Sequence, residues 1–133
     1  MKKLILICFL AIFFIPFFAL AQEPIEIDFF YSPTCPHCHE EQIFLDELEK
    51  EYAEIKVNRF NVFEKENVEL LKVLYQQYDV APERWGLVPV TFTPENAFIG
   101  FSEKIGEDIK NCLVELCMGG RSSAVESEDS TYN

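Results

Sequence analysis

The chain has 133 residues, with 11 Lys and Arg against 23 Asp and Glu, and a net charge of −12. This length supports one ordinary domain, and an apolar content of 49% is enough for a packed core, which excludes wholesale disorder. The excess of acid argues against a nucleic-acid-binding protein, because no basic surface is available to neutralise phosphates, and against docking on anionic lipid.

The first 21 residues predict a secretory signal peptide. Two lysines precede an uncharged apolar run from Leu4 to Phe18, and Ala19-Leu20-Ala21 forms a small-residue cleavage site. We expect cleavage near Ala21 and a periplasmic or otherwise extracytoplasmic protein. The alternative is an N-terminal membrane anchor, since residues 4–21 just reach spanning length. Cleavage removes both lysines and Cys8, which leaves 112 residues, four cysteines and a net charge of −14 in a compartment where disulfides persist.

The first half of the remaining chain predicts a strand, a helix and a strand. Aromatic and β-branched residues after Pro24 predict a strand that ends at Tyr31, and a helix follows from about Pro36 to Tyr52. Alternation over residues 54–62 predicts a second strand with a shift of register within it. The helix has four apolar residues at helical spacing: Ile43, Phe44, Leu48 and Tyr52. Its acidic residues are expected to form a solvated surface: Glu40, Glu41, Asp46, Glu47, Glu49 and Glu51.

The second half predicts a helix, a hairpin and a helix. The second helix covers residues 64–78, and two short strands over 88–93 and 97–101 form the hairpin. Ser102 is the expected N-cap of a third helix, which Gly119-Gly120 ends. Residues 119–133 are expected to be a disordered acidic tail. The apolar faces of the two helices consist of Leu71, Leu74, Tyr75 and Tyr78, and of Ile105, Ile109, Cys112, Leu113 and Leu116.

The resulting order, β-α-β-α-β-β-α, predicts a single α/β domain over residues 22–118. Its first three elements form a crossover that pairs two strands in parallel, whereas the hairpin is antiparallel. We therefore expect a three-layer sandwich, with one mixed central sheet and helices on both of its faces.

A Cys-Pro-His-Cys motif lies where the first strand gives way to the first helix. Cys35 at the helix N-terminus faces unpaired N–H groups and the positive end of the helix dipole, and both favour the thiolate, the attacking species. Cys38 lies one turn further, close enough to close a disulfide with Cys35 and release a bound partner. Pro36 fits the first helical position, and His37 can add positive charge or a hydrogen bond to the thiolate.

The segment IDFFYSPTCPHC (residues 27–38), with this order of elements, resembles the thioredoxin family of thiol-disulfide oxidoreductases. The resemblance implies that Cys35 is the nucleophile and Cys38 the resolving thiol. It also implies a cis peptide bond before Pro89, with Val88 offering backbone hydrogen bonds to the substrate chain. Asp28 matches the family acid that moves the proton of the resolving cysteine, although it lies one residue further from Cys35 than in thioredoxin. The alternative for Asp28 is an exposed strand residue.

The dipeptide Pro36-His37 is the pair found in DsbA-type periplasmic oxidases, while the compact scaffold, without the DsbA helical insertion, also resembles small exported reductases. We therefore expect an enzyme that exchanges disulfides with protein substrates, in a direction that the sequence leaves open. It needs no metal or organic cofactor. The expected partners are thiol or disulfide proteins and a membrane or soluble redox partner, with no nucleic acid, and the expected state is a monomer.

The same residues allow other interpretations. Cys35 to His39 also reads C-x-x-C-H, the motif for c-type haem attachment, but the motif follows a strand and haem leaves the Val88-Pro89 strand unexplained. A zinc site of four cysteines would need Cys112 and Cys117 as a second half, and their spacing suits this poorly. A further alternative is a redox-inactive binding or chaperone module in which Cys35 and Cys38 form a structural bridge.

Cys112 and Cys117 have their own two interpretations. In a continuous α-helix, residues five apart are about 8 Å apart along the axis and point in different directions, which opposes a disulfide. Export and the even number of mature cysteines favour one. We expect a structural bridge, with two buried small apolar side chains as the alternative.

Overall fold

The computed structural model describes residues 23–118, with side chains described as far as Glu115. The predicted signal peptide, residues 1–21, and the predicted tail, residues 119–133, lie outside the described residues. The elements in chain order are β1 (Ile25–Tyr31), α1 (Pro36–Glu51), β2 (Ile55–Asn61), α2 (Lys65–Gln77), β3 (Val90–Phe92), β4 (Ala97–Ile99) and α3 (Glu103–Asn111). Within residues 23–118, no helix has the length and apolar composition needed to cross a membrane.

The four strands form one mixed sheet in the order β2-β1-β3-β4. β1 and β2 are parallel, whereas β3 runs antiparallel to both β1 and β4. The sheet and its three helices confirm the predicted α/β, thioredoxin-like fold class. β1 is an inner strand of the sheet, between β2 and β3. The cysteine motif follows its C-terminal end after a short loop.

The predicted shift of register within β2 is absent. β1 and β2 pair without interruption, from Ile25 opposite Ile55 to Tyr31 opposite Asn61. Apolar side chains cover both faces of the sheet. Residues of β2 that point to either face can therefore pack against apolar neighbours. Val57 packs on one face, and Phe60 stacks on Phe30 on the other, with ring centroids 4.8 Å apart.

Two clusters of buried side chains fill the space on the two faces of the sheet. On the first face, α1 and α3 cover β1, and the cluster includes Ile27, Phe29, Cys38, Leu45, Ile109 and Leu113. On the second face, α2 covers β1 and β3, and the cluster includes Phe30, Leu71, Leu74, Tyr75, Val90 and Phe92. The alternation of β1 and β3 between these clusters means that Thr91, between Val90 and Phe92, faces the side of α1.

The predicted apolar face of the first helix is confirmed for Leu48, Phe44 and Tyr52, which are buried in or packed against one core cluster, but not for Ile43. The buried stripe of α1 consists of Cys38, Glu41, Leu45 and Leu48, at spacings of three and four residues, whereas Ile43 is 49% exposed. The prediction followed apolar residues only and therefore placed Glu41 on the solvated surface. The structure instead buries Glu41 completely, next to Cys38 on the same stripe.

The third helix begins as predicted and changes its type after Asn111; the predicted end at Gly119-Gly120 lies outside the described residues. The Ser102 side chain accepts a hydrogen bond from the backbone N–H of Ile105 at 3.3 Å, which confirms Ser102 as the N-cap. From Cys112 to Met118 the backbone is π-helical. The buried side chains of Ile109, Cys112 and Leu113 confirm this part of the predicted apolar face.

Arg59 of β2 ties that strand to the outer side of α1. Its guanidinium group donates hydrogen bonds to Asp46 and Glu49, the latter at 2.8 Å, and Glu49 also accepts the backbone N–H of Val57 at 2.7 Å. These contacts use two of the acidic side chains of α1 in holding the helix against the sheet.

Phe92 offers a direct test of the core under α2. Its ring lies within 6.1 Å of the rings of Phe30, Tyr75 and Tyr78, and it is 2% exposed. We expect Phe92→Ala to lower the free energy of unfolding by about 3–5 kcal/mol because it leaves a cavity in a closed cluster. Urea denaturation followed by circular dichroism measures the change. The control is Phe63→Ala, whose side chain is 68% exposed and should alter stability by less than about 0.5 kcal/mol; equal effects would contradict the proposed packing.

Candidate active site

Cys35 is the N-cap residue of α1, immediately after the loop that follows β1. Its backbone is extended, and its Sγ accepts the backbone N–H of Cys38 at 3.2 Å, as a serine oxygen would at an ordinary cap. The backbone N–H of Cys35 in turn donates to the carbonyl oxygen of Ser32 at 3.2 Å. The side chain remains partly exposed. The Cys35 sulfur therefore accepts a hydrogen bond from the first turn of the helix and is still accessible to another molecule.

The segment before β3 passes close to Cys35. The thiol of Cys35 lies 3.8 Å from the carbonyl oxygen of Val88 and donates toward it. The peptide bond between Val88 and Pro89 is cis, which confirms that prediction. This segment is held from two sides: the hydroxyl of Tyr75 donates to the Leu87 carbonyl at 3.3 Å, and Gly100 N–H donates to the Pro89 carbonyl at 2.8 Å. The structure therefore brings Val88 and Pro89 to the predicted nucleophile.

Cys38 differs from Cys35 in its environment. Only 1% of its surface is exposed, and it belongs to the core cluster under α1. Burial raises the pKa of Cys38 to about 12, and the neighbouring Cys35 and the negative charge of Glu41 act in the same direction. At neutral pH the Cys38 side chain is thus a protonated thiol, while Cys35 is the accessible one. This division matches the predicted roles of attacking and resolving thiol.

Pro36 and His37 occupy the outer side of the motif. Pro36 lies in the first turn of α1, as predicted. The His37 side chain is 67% exposed, and its Nδ1 is 3.0 Å from Glu40 Oε2. His37 is next to the cysteines in the sequence, but in the structure its imidazole contacts the Glu40 carboxylate on the helix surface.

A groove of about 240 Å³ opens beside the two sulfur atoms. It is lined by Tyr31, Ser32, Pro33, Cys35, Cys38, His39 and Gln42. A larger open depression of about 700 Å³ lies between the end of α2 and the β3–β4 hairpin and contains no cysteine. The smaller groove is the one connected to the predicted chemistry.

Glu41 lies one helical turn beyond Cys38, and it has no solvent exposure. Its Oε1 accepts a hydrogen bond from the hydroxyl of Thr91 at 2.5 Å, and its Oε2 has no hydrogen-bond partner among the described residues. Burial raises the pKa of Glu41 to about 8, and the Thr91 hydroxyl offsets part of this effect. A carboxyl group that titrates near neutral pH therefore lies next to the buried thiol.

Asp28 lies on the other face of the sheet from Cys38. It shares the parity of Phe30, which packs under α2, and its Oδ1 accepts a hydrogen bond from Asn58 Nδ2 at 3.0 Å. Burial raises the pKa of Tyr78, the C-cap residue of α2, and the negative charge of Asp28 contributes to this. The residue on the cysteine side at this point of β1 is Phe29. The structure thus does not bring Asp28 to the cysteines, because its place in the alternation of β1 turns it toward α2.

Sequence reasoning missed two residues of this site, Glu41 and Thr91. A usable signal existed, since Glu41 lies three residues after Cys38 and four before Leu45, which places it on the same helix face as both. Thr91 faces the same side because it is paired with Phe29 in the antiparallel register.

Cys112 lies away from the motif, at the start of the π-helical segment. Its Sγ is 3.4 Å from Thr93 Oγ1 and 3.3 Å from Asn96 Nδ2, so it is anchored to the β3–β4 hairpin. The side chain of Cys117 lies outside the described ones, and the bridge between them stays a prediction. In a π-helix, hydrogen bonds join residues five apart, so the α-helical spacing that opposed the bridge does not apply to this backbone.

The alternatives that involve a metal concern the same thiols. Within residues 23–118, as far as their side chains are described, no three His, Cys, Asp or Glu side chains are grouped to hold a metal ion. The four-cysteine set includes Cys117 and so extends beyond these side chains.

In comparisons with known proteins, the chain resembles solved structures only. No protein-family model and no curated protein matches the chain. Among solved structures, a glutaredoxin from Archaeoglobus fulgidus is similar, with 18% sequence identity and a TM-score of 0.48 over 65% of this chain and 84% of the glutaredoxin. Likeness at this level carries no argument about activity. The thioredoxin-like fold class rests on the strand order and the helix placement described above.

The difference in exposure between the thiols predicts selective alkylation. Under native reducing conditions, we expect iodoacetamide to modify Cys35 at least about ten-fold faster than Cys38 or Cys112, because the latter two are buried. Peptide mass mapping after short exposures measures the three rates. In guanidinium chloride the rates should converge; similar rates in the native protein would show that Cys35 is not the accessible thiol.

The buried carboxyl group predicts how stability depends on pH. The pKa of Glu41 is about 8 in the folded protein against an ordinary value of 4.5, so the protonated form is favoured by folding. The free energy of unfolding therefore holds its full contribution from protonated Glu41 below about pH 4.5. It falls by up to about 4 kcal/mol as the pH rises toward 8. Relative to wild type, Glu41→Gln should therefore become more stable across this range.

Denaturant unfolding at several pH values between 4.5 and 9 measures this difference. Glu47→Gln is the matched control, because Glu47 is an exposed acid on the same helix and its removal changes net charge equally. A Glu41→Gln curve parallel to that of wild type would mean that Glu41 is not a buried acid.

Proposed function

We propose that this protein is an exported thiol-disulfide oxidoreductase that exchanges disulfides with protein substrates through Cys35 and Cys38. The observation that carries the proposal is the placement of Cys35. Its sulfur caps the N-terminus of α1, is partly exposed, and lies 3.8 Å from the carbonyl oxygen of the residue before a cis-proline. A purely structural bridge would need neither an exposed sulfur nor that neighbouring backbone.

The exchange proceeds in two displacement steps. The Cys35 thiolate attacks one sulfur of a substrate disulfide; a Cys35–substrate bond forms and the other substrate sulfur leaves as a thiolate. The Cys38 sulfur, after losing its proton, attacks Cys35 Sγ; the Cys35–Cys38 bond forms and the second substrate sulfur leaves. The substrate gains two electrons and the enzyme loses two. In the reverse direction, a substrate thiolate attacks the Cys35–Cys38 disulfide.

Several parts of the chain have assigned tasks in this proposal. The helix N-terminus supports the thiolate of Cys35. The Val88 backbone, preceding Pro89, offers hydrogen bonds to the substrate chain, and Pro36 and His37 adjust the redox potential of the pair. Asp28 has no support from its position for the proton transfer implied by the family resemblance, since it faces α2.

The proposal extends to location and partners. The N-terminal lysines, the apolar run and the small-residue site support export with cleavage near Ala21. An extracytoplasmic protein of this kind needs a membrane or soluble redox partner to return Cys35 and Cys38 to their starting state. Fractionation of cells and N-terminal sequencing of the mature protein test cleavage against an N-terminal anchor.

Trapping tests the division of labour between the cysteines. We expect Cys38→Ser to accumulate mixed disulfides with substrate proteins through Cys35, since the attack still occurs but the resolving sulfur is missing. Cys35→Ser should form none. Non-reducing gels followed by mass spectrometry give the readout, and Cys112→Ser is the matched control that leaves the motif intact. Absence of mixed disulfides in Cys38→Ser would favour the alternative of a redox-inactive binding module.

The reduction potential of the pair decides the direction of exchange. Equilibration in glutathione buffers, with alkylation to count thiols, gives this potential. A value near about −270 mV would favour a reductase, and one near about −120 mV an oxidase.

A further inference from the structure

Glu41 and Thr91 form a buried polar pair in the otherwise largely apolar layer between α1 and the sheet. A carboxyl group in a core cluster costs free energy, and a hydrophobic residue at this position would fill the same space without that cost. One oxygen of Glu41 is held by the Thr91 hydroxyl, and the other has no partner within the described residues. A buried polar atom without a partner calls for a functional explanation.

Glu41, which carries this unpartnered oxygen, lies next to the resolving thiol of Cys38 on α1. Residues three apart on a helix have Cβ atoms about 5–6 Å apart, so Glu41 and Cys38 are neighbours. Burial raises the pKa of Cys38, and the negative charge of Glu41 adds to this effect. Both residues lie on the buried stripe of α1, where Cys38 is 1% exposed and Glu41 is not exposed at all. Hydroxide or buffer therefore has little access to the Cys38 proton.

We propose that Glu41 is the internal proton acceptor for Cys38 in the resolving step, and that Thr91 positions its carboxylate. This inference rests on the proposed exchange reaction. In the mixed disulfide, the Cys38 thiol gives its proton to the Glu41 carboxylate, and Cys38 Sγ attacks Cys35 Sγ. The Cys35–Cys38 bond forms, the bond to the substrate sulfur breaks, and the substrate leaves as a thiolate that takes a proton from solvent. In the reverse direction, Glu41 returns the proton to the Cys38 thiolate.

The titration properties of the two groups suit this transfer. Burial raises the pKa of Cys38 to about 12, so the thiol does not ionise unaided at neutral pH. Burial also raises the pKa of Glu41 to about 8, which makes its carboxylate a stronger base than an exposed one while leaving part of it ionised near pH 7. An acceptor is most effective when its pKa lies near the working pH.

The surroundings of Glu41 leave it as the available base. From α1, the nearby titratable groups are Cys35 and Cys38. β1 contributes Tyr31 on this face, β3 contributes the hydroxyl of Thr91, and β2 contributes Arg59, which is already paired with Asp46 and Glu49. α3 presents apolar side chains, and the Cys112 thiol in the π-helical segment after it is hydrogen-bonded to the hairpin. Asp28 is separated from this face by the sheet.

A two-phase reaction with 5,5′-dithiobis(2-nitrobenzoate) separates attack from resolution. The reduced protein releases one thionitrobenzoate when Cys35 attacks and a second when Cys38 resolves the mixed disulfide. The Cys38→Ser variant identifies the second phase, because it lacks only that one. We expect Glu41→Gln to slow the second phase about 100-fold at pH 7 and to leave the first phase unchanged. Glu47→Gln, on the exposed side of α1, should leave both phases unchanged.

The pH profile distinguishes proton transfer from a packing effect. In wild type, the rate of the second phase should rise with pH and level off above about pH 8, whereas in Glu41→Gln it should continue to rise to higher pH. Thr91→Val should move the wild-type midpoint upward, since the Thr91 hydroxyl lowers the pKa of Glu41. Identical second-phase rates and profiles in wild type and Glu41→Gln would overturn the role of Glu41. A wild-type protein with no second phase would overturn the proposed exchange itself.

Discussion

The hydrogen bond from the Cys38 backbone N–H to the Cys35 sulfur is the contact on which the site depends. It exists because Cys35 is the N-cap residue of α1, and α1 begins at Pro36 because proline fits the first turn of a helix. The helix is fixed in turn by its buried stripe against β1. The core under α1 therefore determines where one sulfur is exposed and where the other is hidden.

The fold was largely predictable because its signals are local and repeated. Periodic apolar residues gave the helices and strands, and the crossover followed by a hairpin left few possible topologies. The motif and the cis bond before Pro89 were predictable from the family resemblance. The uninterrupted register of β2 was not predictable. Apolar residues such as Val57 and Phe60 point to opposite faces of a strand that packs on both sides, and the same sequence pattern is expected from a shift of register.

The acidic residues show where sequence reasoning stops. Six acids on α1 suggested one solvated surface, yet Glu41 is buried, Glu49 accepts a backbone N–H, and Asp46 pairs with Arg59. A charged residue on a buried stripe is so costly that a pattern-based analysis assigns it to solvent. Position on the helix separates these cases, but only when the stripe is traced through Cys38 and not through apolar residues alone. Asp28 is a different case, because the resemblance implies a place near the cysteines and the structure puts it on the α2 side of the sheet.

The arrangement of the sheet also affects how the molecule meets other extended chains. Among the described residues, β2 and β4 are the edge strands of the sheet, and a sheet edge is a template for strand addition. β4 is only three residues long, and β2 carries the cationic side chains Lys56 and Arg59 along its length. Short or charged edges of this kind resist growth of the sheet into aggregates. Within residues 23–118, both edges of the sheet are thus protected against pairing with a second copy of the chain.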